Sequence, residues 1–248
     1  MVVDAGNSPA HADQLIAGLS RFGPVRQTYL AITHWHWDHV FGASAFAAPM
    51  FAHEQTRRLV AHMAQLEWSD EALDQRVRDG TEIAFCRDMI RAEWPNPRHP
   101  RIRVPDVTFT NRIEFNLGGV VCAVQHVGGD HSPDSCVMHI PEDRVLFLGD
   151  CLSPDLHHGP PRYTMEKVVP LLDALLAFDA DQFLYGHDLE PVSRTEFDAF
   201  AALLRSVGLT VQRLGLDRTE ILRALPPAEG TTTDQDVVEL TDAFLAGA

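Results

Sequence analysis

Tyr29-Leu30-Ala31-Ile32-Thr33-His34-Trp35-His36-Trp37-Asp38-His39 is the stretch on which the reading of the chain turns. An apolar run with strand character leads directly into His34, His36, Asp38 and His39, all metal-capable side chains. On a helix, residues two apart point about 200° away from each other. In extended backbone, positions i and i+2 share a face. His34 and His36 therefore converge only if the chain is still extended as it leaves the strand. Asp38 and His39 must then turn back, into the start of a helix. A strand-end loop of that shape can address two metal ions about 3.5–4 Å apart. One histidine here could be a polar loop residue; four such groups in this order behind an apolar strand are not explained that way.

Upstream, Val2-Val3 reads as a strand and Asp4-Ala5-Gly6 as a turn. Ser8-Pro9 starts a helix, with Ser8 as N-cap and Pro9 at the first helical position. Leu15, Ile16 and Leu19 are its expected apolar stripe, and Gly23-Pro24 its stop. Downstream, residues 49–52 read as a strand and 54–94 as mostly helical. Ser69 caps a segment running through Leu73, Val77, Ile83 and Ile90. Four prolines then break residues 95–105. The block 54–105 is read as a helical insertion able to cover a site. Strand signals dominate 106–149, with Gly118-Gly119 as a hairpin turn. A helix is expected at 164–178 and a strand at 182–185. Ser193–Glu196 and Asp217–Glu220 are capping boxes, and the tail from 234 is an amphipathic helix. Two sheets with helices outside satisfy this order, an α/β class.

The chain has 248 residues, 45% hydrophobic and 22% charged, with a net charge of −15. One domain over 1–248 is expected at this length. The acidic balance argues against a nucleic-acid or anionic-membrane surface, which needs clustered Lys and Arg. No apolar stretch reaches the roughly 18 residues of a membrane span. The N-terminus lacks the basic and apolar regions of a signal peptide. Cys86, Cys122, Cys136 and Cys151 form neither a C-x-x-C pair nor a disulfide framework. A cytoplasmic protein is the resulting expectation.

The H-x-H-x-D-H run resembles the signature of the metallo-β-lactamase superfamily. Further along, Val127-Gly128-Gly129-Asp130-His131-Ser132-Pro133-Asp134-Ser135 is similar to the family's Gly-rich turn bearing a third histidine. Val145-Leu146-Phe147-Leu148-Gly149-Asp150 and Phe183-Leu184-Tyr185-Gly186-His187 resemble its later strand-end Asp and Gly-His motifs. The motifs occur in the family's order and cover most of the chain. The resemblance implies a four-layer αββα sandwich of two mixed sheets with helices outside. It implies that His34, His36 and His131 hold one metal, that Asp38, His39 and His187 hold another, and that Asp150 bridges them. Two zinc ions are expected, with iron or manganese as alternatives of the same ligand chemistry. Asp38 is the expected catalytic group, orienting a hydroxide and passing a proton.

The activity implied is hydrolysis of an ester, lactone, thioester or amide of a small molecule. The alternatives are an iron-dependent oxidoreductase of persulfide dioxygenase type and a phosphodiesterase or nuclease. Ser153 stands where many true β-lactamases have Lys and where acyl-homoserine lactonases tend to have Tyr, which weakens both assignments. Family members usually have one or more strands before the Asp-x-Gly turn, here at 4–6. Either the sequence is truncated, its start is misassigned, or the first strand is missing. The exposed sheet edge that follows could be covered in a homodimer. Cys151 is expected to point away from the metals, since it follows Asp150 on a strand. His157, His158 and Tyr163 are read as loop residues that could form a substrate-side wall. Trp35 and Trp37 are read as packing under the loop, and Trp68 and Trp94 as packing or lid residues.

Overall fold

Parallel strands cannot be joined by tight turns, and the first sheet is built around that constraint. The computed structural model describes residues 1–23, 29–225 and 232–248. It divides into two compact units, residues 1–113 and 114–248. In the first, β1 (Val2–Val3), β2 (Leu30–Ala31), β3 (Met50–His53) and β4 (Val107–Phe109) form a sheet in that order. Every pairing in it is parallel, with Val2 opposite Leu30, Leu30 opposite Met50 and Phe51 opposite Val107.

Each link between these strands is therefore a crossover. α1 (Pro9–Leu19) joins β1 to β2. α2 (Trp37–Val40) and a 3-10 turn, Phe41–Ala45, join β2 to β3. α3 (Glu54–Met63), α4 (Asp70–Arg78) and α5 (Ala84–Glu93) join β3 to β4. The stretch expected as an insertion at 54–105 is thus also the crossover that lets β4 lie parallel to β3. Strand residues Leu30, Ala31, Met50 and Ala52 are fully buried, as befits a parallel sheet covered on its faces. Phe41 joins this core, with Trp68 and Trp94 packed edge-on to it at 4.9 and 6.1 Å. Trp94 Nε1 donates to Asn7 O at 2.8 Å, so both tryptophans are packing residues.

Two helix readings change. Leu15 and Ile16 are partly exposed, and the buried residue of α1 is Ala12. α1 rests on the 3-10 turn at Gly42, where an added Cβ would lie 3.0 Å from Ala12 Cβ, so contact selects small residues over a Leu/Ile stripe. Ser69 caps α4 as expected, but the segment it opens breaks at Gly80, whose φ of +70° ends one helix before Ile83 precedes the next. The Ser8 cap and Pro9 are as expected, and Pro24 lies outside the described residues.

In the second unit the sheet order is β10-β9-β8-β7-β6-β5. The strands are β5 (Arg112–Asn116, at the unit boundary), β6 (Val121–His126), β7 (Cys136–Ile140), β8 (Val145–Gly149), β9 (Gln182–Tyr185) and β10 (Val192–Ser193). β7 runs antiparallel to β6 and β8, β9 runs parallel to β8, and β10 antiparallel to β9. This sheet is mixed, as expected; the first is parallel throughout its described pairings. Gly118 and Gly119 make the expected turn with φ of +82° and +128°.

α6 (Met165–Leu176) is the crossover from β8 to β9. α7 (Arg194–Leu214), α8 (Arg218–Ala224) and α9 (Asp234–Ala246) follow. Leu146, Leu148, Leu172, Leu175, Phe183 and Phe197 are buried in one cluster, with the Phe183 and Phe197 rings stacked at 3.9 Å. Ser193 and Glu196 form the full capping box; at α8 the Asp217 side chain caps Glu220 N. A further box, Thr233 with Asp236, was not foreseen. Among the described residues no helix is long and apolar enough to cross a membrane.

Candidate functional site

β1 and β2 are parallel neighbours, so Asp4 and Thr33 leave the sheet at the same edge. Past β2 the chain bends at Thr33 and runs to His36, whose φ and ψ of −59° and 148° make it the N-cap of α2, and Asp38 and His39 lie within that one-turn helix. This is the strand-to-helix bend that the spacing requires. His34 Nε2 and His36 Nδ1 converge to 3.0 Å, and both rings are buried. The His34 and His39 rings lie 4.1 Å apart. Asp38 Oδ2 is 3.5 Å from His39 Nε2.

Tautomers follow from the neighbours. Thr33 donates its hydroxyl proton to Asp4 Oδ2 at 2.8 Å, so at 2.9 Å it accepts from His34 Nδ1–H. Asp4 Oδ2 likewise accepts from His39 Nδ1–H at 2.8 Å. In both histidines this puts the lone pair on Nε2, the tautomer a metal ligand needs. Asp4 also accepts Thr33 N–H at 2.8 Å. It does so from a left-handed φ of 58°, uncommon for a residue with a side chain. Gly42 allows the closeness: a Cβ there would lie 2.0 Å from Ala5 O. Sequence reading took Asp4 only for a turn residue; its position just past a strand, on the edge that carries the histidines, was the available signal.

In the second unit β6, β8 and β9 run in one direction, so their C-terminal ends share an edge. His131, Asp150 and His187 follow those ends, where ligands of open α/β sheets gather. His131 sits in a turn with Gly128 and Gly129 at φ of +68° and +132°. Its Nδ1 donates to Pro154 O at 3.3 Å, again placing the lone pair on Nε2, which is 3.6 Å from Asp150 Oδ2. The β8–β9 register shifts between Phe147 and Gly149, a bulge-like irregularity just before Asp150 that re-aims the chain. His187 Nε2 meets Asp150 Oδ2 at 3.0 Å. An added Cβ on Gly186 would lie 2.2 Å from Asp150 Oδ1, so the Gly of this Gly-His pair makes room for the carboxylate.

Asp130 was not foreseen either. Its buried carboxylate accepts Thr164 N–H and Thr164 Oγ1–H, both at 2.9 Å, with Lys167 Nζ at 3.6 Å. It thereby ties the His131 turn to the N-terminus of α6, where a negative charge is favoured.

The remaining residues weighed in the sequence have the following contacts. Cys151 is 1% exposed in the apolar core, and burial first, then Asp150, pushes its thiol far up from its ordinary value. All four cysteines are buried. Tyr163 donates its hydroxyl to Leu152 O at 2.5 Å, and its ring lies 5.4 Å from Phe244. His157 N–H and the His158 ring bind the Asp155 carboxylate, which holds their loop. His53 caps α3, and His126 and His139 bind main-chain carbonyls. Arg205 and Arg218 pair with Asp173 and Asp242.

Each unit thus presents imidazole and carboxylate donors suited to metal ions. The model of the metallo-β-lactamase superfamily matches residues 1–187, across both units. The chain is 24% identical over 218 residues to a linear primary-alkylsulfatase of Pseudomonas sp. (strain ATCC 19151), covering 79% of the chain but only 40% of that relative's length. Among solved structures it resembles the stereoselective inverting sec-alkylsulfatase Pisa1 from Pseudomonas sp., with a TM-score of 0.62, 14% identity, and 97% and 45% of the two chains covered. It also resembles a metallo-beta-lactamase family protein from Thermus thermophilus, with a TM-score of 0.58, 19% identity, and 98% and 83% covered. By these matches the chain belongs to the metallo-β-lactamase superfamily.

Proposed function

We propose that the two units act as one domain over 1–248 and that the chain is a zinc-dependent hydrolase of a small-molecule ester, lactone, thioester or amide. His34, His36 and His131 would hold one ion, Asp38, His39 and His187 the other, with Asp150 shared; iron or manganese would suit the same donors. The observation that carries this reading is the tautomer pattern. His34, His39 and His131 each spend Nδ1–H on a neighbour, which leaves the lone pair on Nε2. Structural histidines have no need of that shared arrangement. The space Gly186 leaves against Asp150 supports the same reading. Membership in a family made up mostly of metal-dependent hydrolases agrees with it.

When bound, a pair of divalent cations lowers the pKa of water and polarises an ester oxygen. The chain's own residues do the rest. Asp4 and Thr33 fix the imidazoles in one tautomer. Asp38, partly exposed beside His39, orients the attacking water and carries a proton toward the leaving group.

A second reading, hydrolysis of a sulfate ester, is favoured by the alkylsulfatase match over 79% of the chain. One experiment tests both. Metal is quantified on protein purified without added metal. The zinc-loaded protein is then assayed on esters, lactones, thioesters, a chromogenic β-lactam, phosphodiesters and alkyl sulfates. Two zinc ions per chain and turnover of an ester-type bond are expected, with both lost in His36→Ala and Asp150→Ala. Iron with oxygen consumption, or full metal and turnover in either variant, would overturn the assignment.

A further inference from the structure

A groove of about 410 Å³ runs between the loop after Asp150 and α9, within the size range of small-molecule pockets. One wall is Pro154, Leu156, Pro160 and Pro161; the other is Leu240 and Ala243, and Tyr163 also lines it. The prolines offer no N–H donors, and the aliphatic side chains offer nothing polar. The polar members of the lining are Glu239 and Asp242, both exposed and acidic.

The walls are built in advance. Asp155 and Arg162 exchange main-chain hydrogen bonds at 3.0 and 3.1 Å. The buried Asp155 carboxylate gathers His157 N–H, the His158 ring and the Arg162 guanidinium. Tyr163 N–H donates to Ala243 O at 3.0 Å, fastening the loop to α9. A groove so fixed loses little entropy when filled.

Its location matters. Pro154 lines the groove, and its carbonyl receives the His131 ring N–H at 3.3 Å. Ser153 N–H binds Asp150 O at 2.8 Å. The loop that walls the groove is thus tied to two of the proposed metal ligands, through Nδ1 of His131 and the main-chain oxygen of Asp150. α9 lies beyond the residues that the family model matches.

We propose that this groove is a subsite for an unbranched alkyl chain of the substrate, a reading that rests on the hydrolase function proposed above. Two features fix the occupant. The lining rewards a chain without hydrogen-bonding groups. Exposed Glu239 disfavours an anionic head in the groove, Asp242 being paired with Arg218, which orients an ester with its polar end toward His131 and Asp150 and its tail along α9.

The test has a binding arm and a turnover arm. Binding of 1-octanol, a neutral alkyl probe, is measured by calorimetry on the zinc-loaded protein. Leu156→Asp places a charge in the groove from a half-exposed loop position. Ala243→Phe fills it from α9. Both should weaken octanol binding about tenfold or more, with unfolding midpoints reported alongside. In turnover, kcat/KM for p-nitrophenyl esters should rise about fourfold for each CH2 that enters the groove. The ratio of octanoate to acetate should collapse in both variants.

Octanol bound equally by all three proteins, or not bound by the parent, overturns the subsite whatever the esterase does. A flat chain-length profile in a protein that binds octanol in the groove overturns its role toward substrate. Octanol binding that the variants lose, with no ester, lactone, thioester, amide or alkyl sulfate hydrolysed, overturns the hydrolase reading and leaves an alkyl site standing.

Discussion

Asp4 Oδ2 accepts the Nδ1 proton of His39 at 2.8 Å while the same carboxylate holds both the amide and the hydroxyl of Thr33. One side chain therefore sets the tautomer of His39 directly and that of His34 through Thr33. Partners of this kind are worth about 10- to 100-fold in metal affinity. Asp4→Ala should lower zinc affinity by that factor, read by competition with a chelating dye. Asp4→Asn keeps an acceptor oxygen and loses the charge, so it should fall between. Equal affinity in all three proteins would remove Asp4 from the site.

Gly186 offers a different kind of test, because its constraint is contact and not backbone conformation. A Cβ at this position meets Asp150 Oδ1 at 2.2 Å. Gly186→Ala should push the carboxylate aside and lower the zinc bound per chain, while the sheet survives, since the change falls just past β9. Metal analysis together with circular dichroism checks this. An alanine variant that keeps the parent's metal content would mean that Asp150 does not need its present place to hold metal.

What was legible in the sequence and what was not divides along physical lines. Local rules exposed the H-x-H-x-D-H bend, because strand-end geometry and helix starts depend on neighbours in sequence. They exposed the Gly118-Gly119 turn and the Ser193 box for the same reason. Asp4 and Asp130 were invisible as site residues because their partners, His39 and Thr164, lie 35 and 34 residues away. The block 54–105 read as an insertion because nothing local shows that β4 returns to pair with β3 in parallel. α1 misled through its large residues: Leu15 and Ile16 looked like the buried face, but the close approach of Gly42 gave that place to Ala12. The family motifs carried the fold because they mark the strand ends at which both sheets present their polar residues.

The Asp130 latch makes its own prediction. Asp130→Ala leaves the half-buried Thr164 amide and hydroxyl without their acceptor. That should cost about 1–3 kcal/mol of stability, measurable by urea unfolding. Because the turn it holds carries His131, the cobalt-substituted variant should also show an altered visible absorption spectrum. Asp130→Asn retains one acceptor oxygen and should recover part of the stability and most of the spectrum. A parent-like cobalt spectrum in Asp130→Ala would make the latch purely structural.

Asp155 sets a pH dependence whose sign can be worked out. Burial alone would raise its carboxyl, but the His158 ring, the His157 N–H and the Arg162 guanidinium together hold it below its ordinary value of 3.8. A carboxyl depressed in the folded state contributes stability above its unfolded pKa and loses it as pH falls through the folded value. The parent should therefore exceed Asp155→Asn in unfolding free energy at neutral pH. The gap should hold down to about pH 5, shrink from about pH 4 downward, and close once the folded carboxyl is protonated. Urea melts of the two proteins across that range measure it. A gap that stays constant to the lowest pH at which both remain folded would show that the loop owes its order to the Asp155–Arg162 main-chain bridge, and not to the charge of the carboxylate.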